Sequence, residues 1–376
     1  MRVVLAPDSF KGTLNAQAVV EAVAEGWSDV RPRDELVRVP MADGGEGTLD
    51  VVEAATPGSR RVHTRVLGPA GPLVAPWLLL EDGSAVVELA RASGLPLLTT
   101  RDALGAHTFG FGQQLAAAAV HGSVRRILAT LGGSASTDGG TAALAALGHR
   151  FLGPDNLRLP LGGRHLARLE RIDSSRALPP PPEGVDVLVD VDAPLLGPAG
   201  AAGAFAVQKG AGPDEVALLE AGLRRLSQVV GDDGSAPGSG AAGGTAFGLV
   251  NLWGARLTAG SDAVARLTRL DEHVEAADLV VTGEGRLDAQ SFRGKVVGRV
   301  AASARRARTP LWALVGQADA DAVRRVASVT TLSDLAGSAE AAMAEPAAWA
   351  REAGRAMAAR LDAAGLPSTP SAERAS

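Results

Sequence analysis

Residues 2–14 read RVVLAPDSFKGTL, and this stretch decides the fold class. The apolar run Val3 to Ala6 predicts a short buried strand, which the loop after Pro7 follows. From Ala16 to Trp27 apolar side chains recur at helical spacing, and Asn15 is the predicted N-cap. A strand, a loop and a helix in this order open a β–α–β unit, so the chain begins as an α/β protein with parallel strands.

The last third of the chain has the same pattern. A predicted helix over 296–307 is flanked by apolar runs that predict strands at 279–282, 311–315 and 329–332. The small, polar tail after Leu366 is expected to lack regular structure.

The middle of the chain lacks the β–α–β pattern of the two ends. Between residues 62 and 89 three apolar runs are separated by tight Gly-Pro and Asp-Gly turns, which is typical of antiparallel strands. We therefore predict an α/β protein in which residues 1–61 plus 261–376 form a discontinuous, Rossmann-like parallel-sheet domain. Residues 62–260 are predicted to form a large inserted α/β domain with a mixed sheet.

Composition excludes several functional classes. The 376 residues carry a formal charge of −5, which gives no basic surface for nucleic acid. The chain has no cysteine, so disulfides, thiolate zinc sites and cysteine nucleophiles are excluded. No run approaches the roughly 18 apolar residues of a spanning helix, and the apolar start is too short for a signal peptide. We expect a cytoplasmic protein without a membrane partner.

Lysine is rare in this sequence. Lysine and arginine total 37, yet the lysines are only Lys11, Lys209 and Lys295, and each borders a glycine. A lysine in a chain that otherwise uses arginine indicates a position that needs a compact ammonium group. Chance placement in a glycine-rich chain is the alternative.

Acidic and hydroxyl side chains follow the first two predicted strands. Asp8, Ser9 and Lys11 follow the first, and Asp43 and Glu46 lie in DGGEGT after the second. Ligands of parallel α/β sheets bind at the carboxyl ends of strands, so these residues are candidate substrate-binding groups. Ordinary turns with helix caps would account for the same residues.

Two glycine-rich segments are candidate phosphate sites. Residues 132–141 read GGSASTDGGT between a predicted strand and helix, and supply hydroxyl and amide donors for phosphate oxygens. Residues 238–244, GSGAAGG, form either a phosphate loop or a flexible linker. The candidate nucleotide- and phosphate-binding residues are Gly133, Ser134, Ser136, Asp138, Gly139, Ser239 and Gly240.

A pair of acids ends another predicted strand, at 185–191. We expect Asp190 to be the general base that accepts a proton from an alcohol and Asp192 to be a Mg²⁺ ligand, although the reverse assignment is equally consistent. Lys209 could provide the counter-charge. Glu284 and Asp288, followed by Lys295, repeat the combination of acids and lysine after a later strand.

The sequence lacks the common nucleotide signatures. It has no P-loop and no G-x-G-x-x-G after the first strand, and its histidines show no ligand spacing. Acids, three lysines and Gly/Ser loops fit phosphoryl transfer best, in a form outside those signatures.

The segments at 6–11, 43–48, 131–140, 190–192, 208–211, 238–244 and 282–295 together resemble the bacterial type I glycerate kinases, in order along nearly the whole chain. The resemblance implies ATP- and Mg²⁺-dependent phosphorylation of D-glycerate, usually to 2-phosphoglycerate. It also implies two α/β domains with the active site in the cleft between them. Lys11 and Lys295 would then hold the substrate carboxylate or phosphates and act in catalysis with Asp190.

Two alternatives remain open at the level of sequence. The chain could be a kinase for another small hydroxy acid or polyol. It could also be a non-catalytic protein that senses a nucleotide or metabolite on the same scaffold.

Overall fold

The structure is a computed structural model that describes residues 1–292 and 294–364, so the tail after Leu366 lies outside the described residues. The strands are β1 (Arg2–Pro7), β2 (Glu35–Arg38), β3 (Arg60–Gly68), β4 (Gly71–Leu79), β5 (Ser84–Glu88), β6 (Arg126–Thr130), β7 (Arg150–Leu152), β8 (Arg171–Asp173), β9 (Val185–Val189), β10 (Arg256–Ala259), β11 (Leu279–Leu287), β12 (Leu311–Ala318) and β13 (Ser328–Thr331).

The helices are α1 (Ala16–Val30), α2 (Thr48–Ala55), α3 (Ala90–Ser93), α4 (Phe109–Ala119), α5 (Thr141–Ala146), α6 (Ala201–Phe205), α7 (Pro213–Val230), α8 (Ala241–Trp253), α9 (Gly260–Leu267), α10 (Leu270–Glu275), α11 (Val296–Ala307), α12 (Ala320–Val323), α13 (Leu332–Ala336), α14 (Ala339–Ala344) and α15 (Pro346–Ala364). Short 3₁₀ turns occur at Leu95–Leu97, Leu166–Arg168, Val207–Lys209 and Ala289–Phe292. Of the helices in the described part of the chain, none is long and apolar enough to cross a membrane.

The chain divides into two compact units. The first contains Met1–Asp43, Asp50–Ala55 and the described residues between 260 and 364, and the second contains Gly44–Leu49 and Thr56–Ala259.

The first unit is built on a five-stranded sheet in the order β13-β12-β11-β1-β2, and every neighbouring pair is parallel. Its three inner strands, β1, β11 and β12, are buried on both faces over most of their length. Val3 and Leu5 belong to a core formed with α1 and α15, whereas Val4 and Ala6 belong to a core formed with α9, α10 and α11. Alternate side chains of a strand point to opposite faces, so a continuous apolar run serves both cores.

The path of the chain reverses between β1 and β11. From β1 it proceeds to β2 on one side, and it later returns to β11, β12 and β13 on the other. Strands β1 and β11 are paired from Val3 with Leu279 to Pro7 with Gly283. In open parallel sheets a ligand binds at the carboxyl ends of the strands where the order reverses. This topology therefore predicts a ligand site among the residues that follow Pro7 and Gly283.

The second unit contains a six-stranded mixed sheet in the order β10-β9-β6-β5-β4-β3. Strands β3, β4 and β5 are antiparallel, as their turns predict, but β5, β6, β9 and β10 are parallel. A core that includes Trp77, Phe111 and Phe247 packs against one face of this sheet, and Val86 and Leu188 are buried on the other. A separate antiparallel pair is formed by β7 and β8.

The observed mixed α/β architecture, with one parallel and one mixed sheet, confirms the predicted fold class. The predicted Asn15 cap is also present, because the Asn15 side chain accepts a hydrogen bond of 2.8 Å from the Ala18 amide. Several strand ends differ from prediction, and two of them lie next to candidate site residues. Strand β11 continues to Leu287, and β9 ends at Val189, so Asp190 and Asp192 follow the strand instead of lying in it.

Candidate active site

A cavity of about 360 Å³ lies in the first unit, at the carboxyl ends of β1 and β11. Its polar lining includes seven residues that the sequence analysis singled out, and its described lining residues all belong to this unit. Those seven are Asp8, Ser9, Lys11, Asp43, Glu284, Asp288 and Lys295.

The loop after β1 is held in a tight turn. The Phe10 amide donates to the Leu14 carbonyl at 2.8 Å, and the Thr13 hydroxyl donates to the Phe10 carbonyl at 2.8 Å. Gly12 has a φ of 83°, in the left-handed region that glycine adopts most readily. This turn presents the Lys11 ammonium group to solvent, where its Nζ lies 3.6 Å from Asp43 Oδ2.

Asp8 is the most deeply placed acid of the β1 loop. Its side chain is 6% exposed, and its Oδ1 accepts a hydrogen bond of 2.6 Å from the Ser9 amide. Burial, followed by the negative charge of Asp43, raises the pKa of the Asp8 carboxyl well above its ordinary value. The Ser9 amide and Lys11 oppose this change without cancelling it.

The segment from Glu284 to Lys295 completes the cavity wall. Beyond Gly283, β11 continues beside β12, with Glu284 opposite Val315. Burial raises the pKa of Glu284, whereas the Ser291 hydroxyl and the Lys295 charge oppose the rise. Asp288 accepts amide hydrogen bonds from Gln290 and Ser291, which shape the turn before α11. Lys295 is the N-cap residue of α11.

The other end of the cavity is apolar. It is lined by Leu332, Ala342, Met343 and Pro346, from α13, α14 and the start of α15. No pattern in the sequence marks these residues as part of a site, because short apolar helices carry no chemical signature. The cavity therefore has one charged end and one apolar end.

In the second unit, the loop of residues 132–141 is anchored on two sides. The Leu95 amide donates to the Gly133 carbonyl at 2.8 Å, and the Gly139 amide donates to the Gly243 carbonyl at 2.9 Å. A Cβ atom on Gly243 would lie 2.2 Å from the Ser136 carbonyl oxygen, so this close approach requires glycine. The two glycine-rich segments found in the sequence are thus packed against each other within this unit.

Asp138 is fully buried in that loop. Its Oδ2 accepts hydrogen bonds from the amide of Thr108 at 3.0 Å and from its hydroxyl at 2.9 Å. Its Oδ1 accepts one from the Gly140 amide at 3.1 Å. Both carboxylate oxygens therefore accept hydrogen bonds from the protein, and Asp138 stabilises the conformation of the loop.

Lys209 is buried beneath the same loop. Its Nζ donates to Ser134 Oγ at 2.9 Å and to the Ser136 carbonyl at 2.5 Å. Burial lowers the pKa of Lys209 to about 8, and the Asp138 charge opposes that change. Ser136 Oγ and Thr137 Oγ1 are buried without a hydrogen-bond partner among the described residues. The loop thus holds a buried cation and polar atoms with unused hydrogen-bonding capacity.

The segment after β9 packs against the second glycine-rich segment. The Gly240 amide donates to the Ala193 carbonyl at 2.9 Å, and a Cβ on Gly240 would lie 2.1 Å from the Pro194 carbonyl oxygen. Asp190 is half-buried and Asp192 is exposed at the beginning of this segment. Residues 238–240 are therefore part of a packed structure, which argues against the flexible-linker alternative.

The remaining predicted residues have different surroundings. Glu46 and Lys209 belong to the second unit and do not line the cavity that holds the other candidate substrate groups. Glu46 is exposed beside Gly133, since a Cβ on Gly133 would lie 2.2 Å from Glu46 Oε1. Gly139 faces the core, where an added Cβ would meet Leu226. Ser239 is buried.

Sequence reasoning missed two buried residues that organise these loops. Glu88, at the end of β5, accepts hydrogen bonds from the amides of Gly47 at 3.1 Å and Leu49 at 2.8 Å. Thr108 holds Asp138 and also accepts a hydrogen bond from the Ala143 amide at 2.9 Å. A lone acid that ends the apolar strand SAVVE was the available signal for Glu88; Thr108 had none.

Mg²⁺ is the ion that the resemblance of the sequence motifs implies. Within residues 1–292 and 294–364, no three histidine, aspartate or glutamate side chains are grouped so that they could hold an ion. Mg²⁺ in phosphoryl-transfer sites is usually held by one or two carboxylates together with phosphates and water. The exposed carboxylate of Asp192 fits that donor set.

Comparison with known proteins agrees with this arrangement. The model of the glycerate kinase family matches residues 3–362. An uncharacterized protein of Mycobacterium bovis is 40% identical over 362 residues, 92% of this chain and 88% of that protein. The glycerate 2-kinase of Escherichia coli K12 is 38% identical over 326 residues, 84% of this chain and 85% of that enzyme. A crystal structure assigned as glycerate kinase 2 of Salmonella typhimurium LT2 has a TM-score of 0.79 and 33% identity, and the match covers 96% of this chain and 98% of that one.

An α/β scaffold with lysines and acids at the carboxyl edge of a parallel sheet is the framework of a small-molecule kinase. The chain belongs to the glycerate kinase family, and it is therefore a kinase. The resemblance seen in the sequence motifs is confirmed.

The raised pKa of Asp8 predicts that an isosteric neutral residue stabilises the protein. A carboxyl group whose pKa is higher in the folded than in the unfolded state favours folding less and less as pH rises above about 4. We expect Asp8→Asn to increase the free energy of unfolding by about 1–3 kcal/mol at pH 8, because it removes a poorly compensated buried charge.

Thermal melts of both proteins between pH 5 and 8.5 measure this effect, and the difference in Tm should widen with pH. Asp321→Asn is the matched control, because that side chain is 96% exposed. A Tm difference for Asp8→Asn that is negative, or the same at every pH, would contradict the stated electrostatics of the cavity.

Proposed function

We propose that this protein is a glycerate kinase that transfers the γ-phosphoryl group of ATP to D-glycerate, with Mg²⁺, and forms 2-phosphoglycerate. One observation carries the proposal: the cavity at the β1–β11 edge brings together lysines and acids in a chain of the glycerate kinase family. The relative named glycerate 2-kinase supports the 2-phospho product. Phosphoryl transfer relies mainly on positioning and charge stabilisation, which fixed polar groups provide.

In this proposal D-glycerate binds at the charged end of the cavity. Lys11 and Lys295 attract its carboxylate, and Asp8, Ser9, Asp43, Glu284 and Asp288 are within the same lining to accept or donate hydrogen bonds to its hydroxyls. Lys11 is suited to this role because its ammonium group is 70% exposed and can reorient towards a ligand. A compact ammonium also fits a small anion better than a planar guanidinium does.

The nucleotide phosphates are proposed to bind the loop of residues 132–141 and the segment at Ser239 and Gly240. Lys209 supports this loop from below through Ser134 and Ser136, and it supplies positive charge without being exposed. Glu46 lies beside Gly133 and can contact a ligand of the same loop. Mg²⁺, when bound, neutralises charge on the phosphates, and Asp192 is the proposed protein ligand.

Asp190 is the proposed general base. It is half-buried directly after β9, in the segment that also contains Asp192. A carboxylate in this role accepts the proton of the acceptor hydroxyl as the new O–P bond forms, and the β-phosphate oxygen of ADP leaves.

A coupled assay with MgATP and D-glycerate tests the function. We expect ADP to be released at a rate that depends on D-glycerate, and phosphorus NMR to identify 2-phosphoglycerate as the product. Turnover with a different hydroxy acid or polyol, and not with D-glycerate, would reassign the acceptor. Binding of nucleotide without any turnover would instead support a sensing role and refute the enzyme.

The roles of the paired acids predict different responses to the same substitution. Asp190→Asn should lower kcat by roughly 10²–10⁴-fold, because the amide keeps the shape of the side chain but cannot accept the proton. Asp192→Asn should raise the Mg²⁺ concentration needed for half-maximal rate. Steady-state kinetics over a Mg²⁺ series measure both effects; the opposite pattern would exchange the two roles, and near-normal kinetics in both variants would remove the pair from the reaction.

If the lysines bind the substrate or phosphates, replacing them with arginine should reduce activity although the charge is kept. Lys11→Arg and Lys295→Arg should each lower kcat/KM by at least about tenfold, or about 1.4 kcal/mol of transition-state binding, because guanidinium does not fit the ammonium position. Their Tm values should change little, since Lys11 is exposed and Lys295 half-buried. Arg324→Lys, at a side chain 81% exposed, is the control. Kinetics that stay normal in both variants would assign these lysines to ordinary surface charge.

A further inference from the structure

The charge of the cavity conflicts with the charge of the ligand proposed for it. Its lining contains four carboxyl groups, those of Asp8, Asp43, Glu284 and Asp288. A hydroxy acid adds a fifth. Carboxylates gathered at short range in a poorly solvated site repel one another and cannot all remain ionised.

The positive groups of the lining do not remove this excess. Lys11 already pairs with Asp43. Arg286 is paired with Asp319, at 3.0 Å. Lys295 is the remaining cation of the lining among the described residues, and its charge already acts on Glu284. With the ligand bound, five carboxyl groups therefore share two lysines, and an incoming anion has no cation of its own.

We propose that Asp8 is protonated when the substrate is bound and donates a hydrogen bond from its carboxylic acid to the substrate carboxylate, so that substrate binding takes up a proton from solvent. This inference rests on the proposed function, because it needs an anionic hydroxy acid in the cavity. It assigns Asp8 a substrate-binding role that differs from general-base catalysis.

Asp8 is the acid best placed for this role. It is the most enclosed carboxyl group at the β1–β11 edge apart from Asp43, and Asp43 has Lys11 as an ionic partner. The charged groups that act on Asp8 are Asp43 and Glu284, which favour its protonated form, and Lys11, which opposes it. Burial adds to the effect of the two acids, and the pKa of Asp8 is raised accordingly.

The hydrogen-bond arrangement is also compatible with a donor. Oδ1 of Asp8 accepts the Ser9 amide at 2.6 Å, so the carboxyl group is already oriented and Oδ2 can carry the proton. The proton comes from the solvent or buffer and returns there when the ligand leaves, so no other reactant is needed. A neutral acid that donates to an oxyanion in an enclosed site forms a strong, charge-assisted hydrogen bond.

Calorimetry of D-glycerate binding without nucleotide tests the proton uptake directly. Titrations at pH 9, above the pKa of about 8 that burial gives Asp8 in the free protein, are made in two buffers of different ionisation enthalpy and should show uptake of up to about one proton per chain by the wild type. Asp8→Asn, whose amide can donate but cannot titrate, should still bind D-glycerate with no buffer dependence. Asp321→Asn, at an exposed residue that does not line the cavity, should take up as many protons as the wild type.

The KM for D-glycerate gives a second, kinetic measurement. It should rise by up to about tenfold per pH unit in the alkaline range for the wild type, and the rise should be lost in Asp8→Asn. Asp8→Ala, which can neither donate nor titrate, should have a raised KM at every pH. This difference between Asn and Ala separates hydrogen-bond donation from simple space filling.

Three results would overturn the inference. Turnover of D-glycerate by the wild type without proton uptake and with a flat KM profile would refute it while leaving the proposed function intact. A collapse of kcat in Asp8→Asn with D-glycerate still bound would make Asp8 a general base. A raised Mg²⁺ requirement in that variant would make it a metal ligand. Absence of D-glycerate turnover at every pH would instead refute the proposed function.

Discussion

The pairing of β1 with β11 is the constraint on which the candidate active site depends. Five consecutive residue pairs fix the register, and the Asp8 amide continues it with a 2.8 Å hydrogen bond to the Gly283 carbonyl. These strands are separated by more than 270 residues of sequence, so only the sheet brings their loops together. Because the order of the sheet reverses here, no crossover covers this edge, and a ligand can approach the carboxyl ends. A slip of one residue would turn Asp8 and Glu284 to the wrong faces.

In the second unit, the polar loop of residues 132–141 is stabilised by charged groups that are buried against it. Lys209 holds Ser134 and Ser136 from inside, and Asp138 is held by Thr108 and Gly140. Removal of one partner from such a network leaves a buried group unsatisfied, so the network defines one loop conformation. Glycine then permits the close approach of the neighbouring segment, as at Gly243. Both units therefore use buried ionisable groups, one to line a cavity and the other to shape a loop.

The buried acids of the cavity lower the stability of the folded state, but they provide the fixed polar groups that the site needs. Asp8 and Glu284 have raised pKa values because burial disfavours their charged forms, and this weakens the folded state above the ordinary titration range of carboxyl groups. An enzyme that handles a small, charged acceptor needs fixed polar groups in an enclosed site, where charge interactions are strong. The apolar cores on both faces of the parallel sheet stabilise the unit that carries this cluster.

The sequence by itself determined the α/β class, the parallel ends, the antiparallel β3–β5 strands and the Asn15 cap, because these follow from local periodicity and turn chemistry. It also identified most polar residues of the cavity, since acids and lysines after strands are recognisable without a structure. Only the tertiary structure decided which of them share a cavity. Asp8 and Lys295 line it, Glu46 and Lys209 belong to the other unit, and the Asp138 carboxylate is buried in its own loop. It also revealed Glu88 and Thr108 and the apolar end of the cavity. Burial and hydrogen bonding between distant segments depend on strand order and register, and no local pattern encodes them.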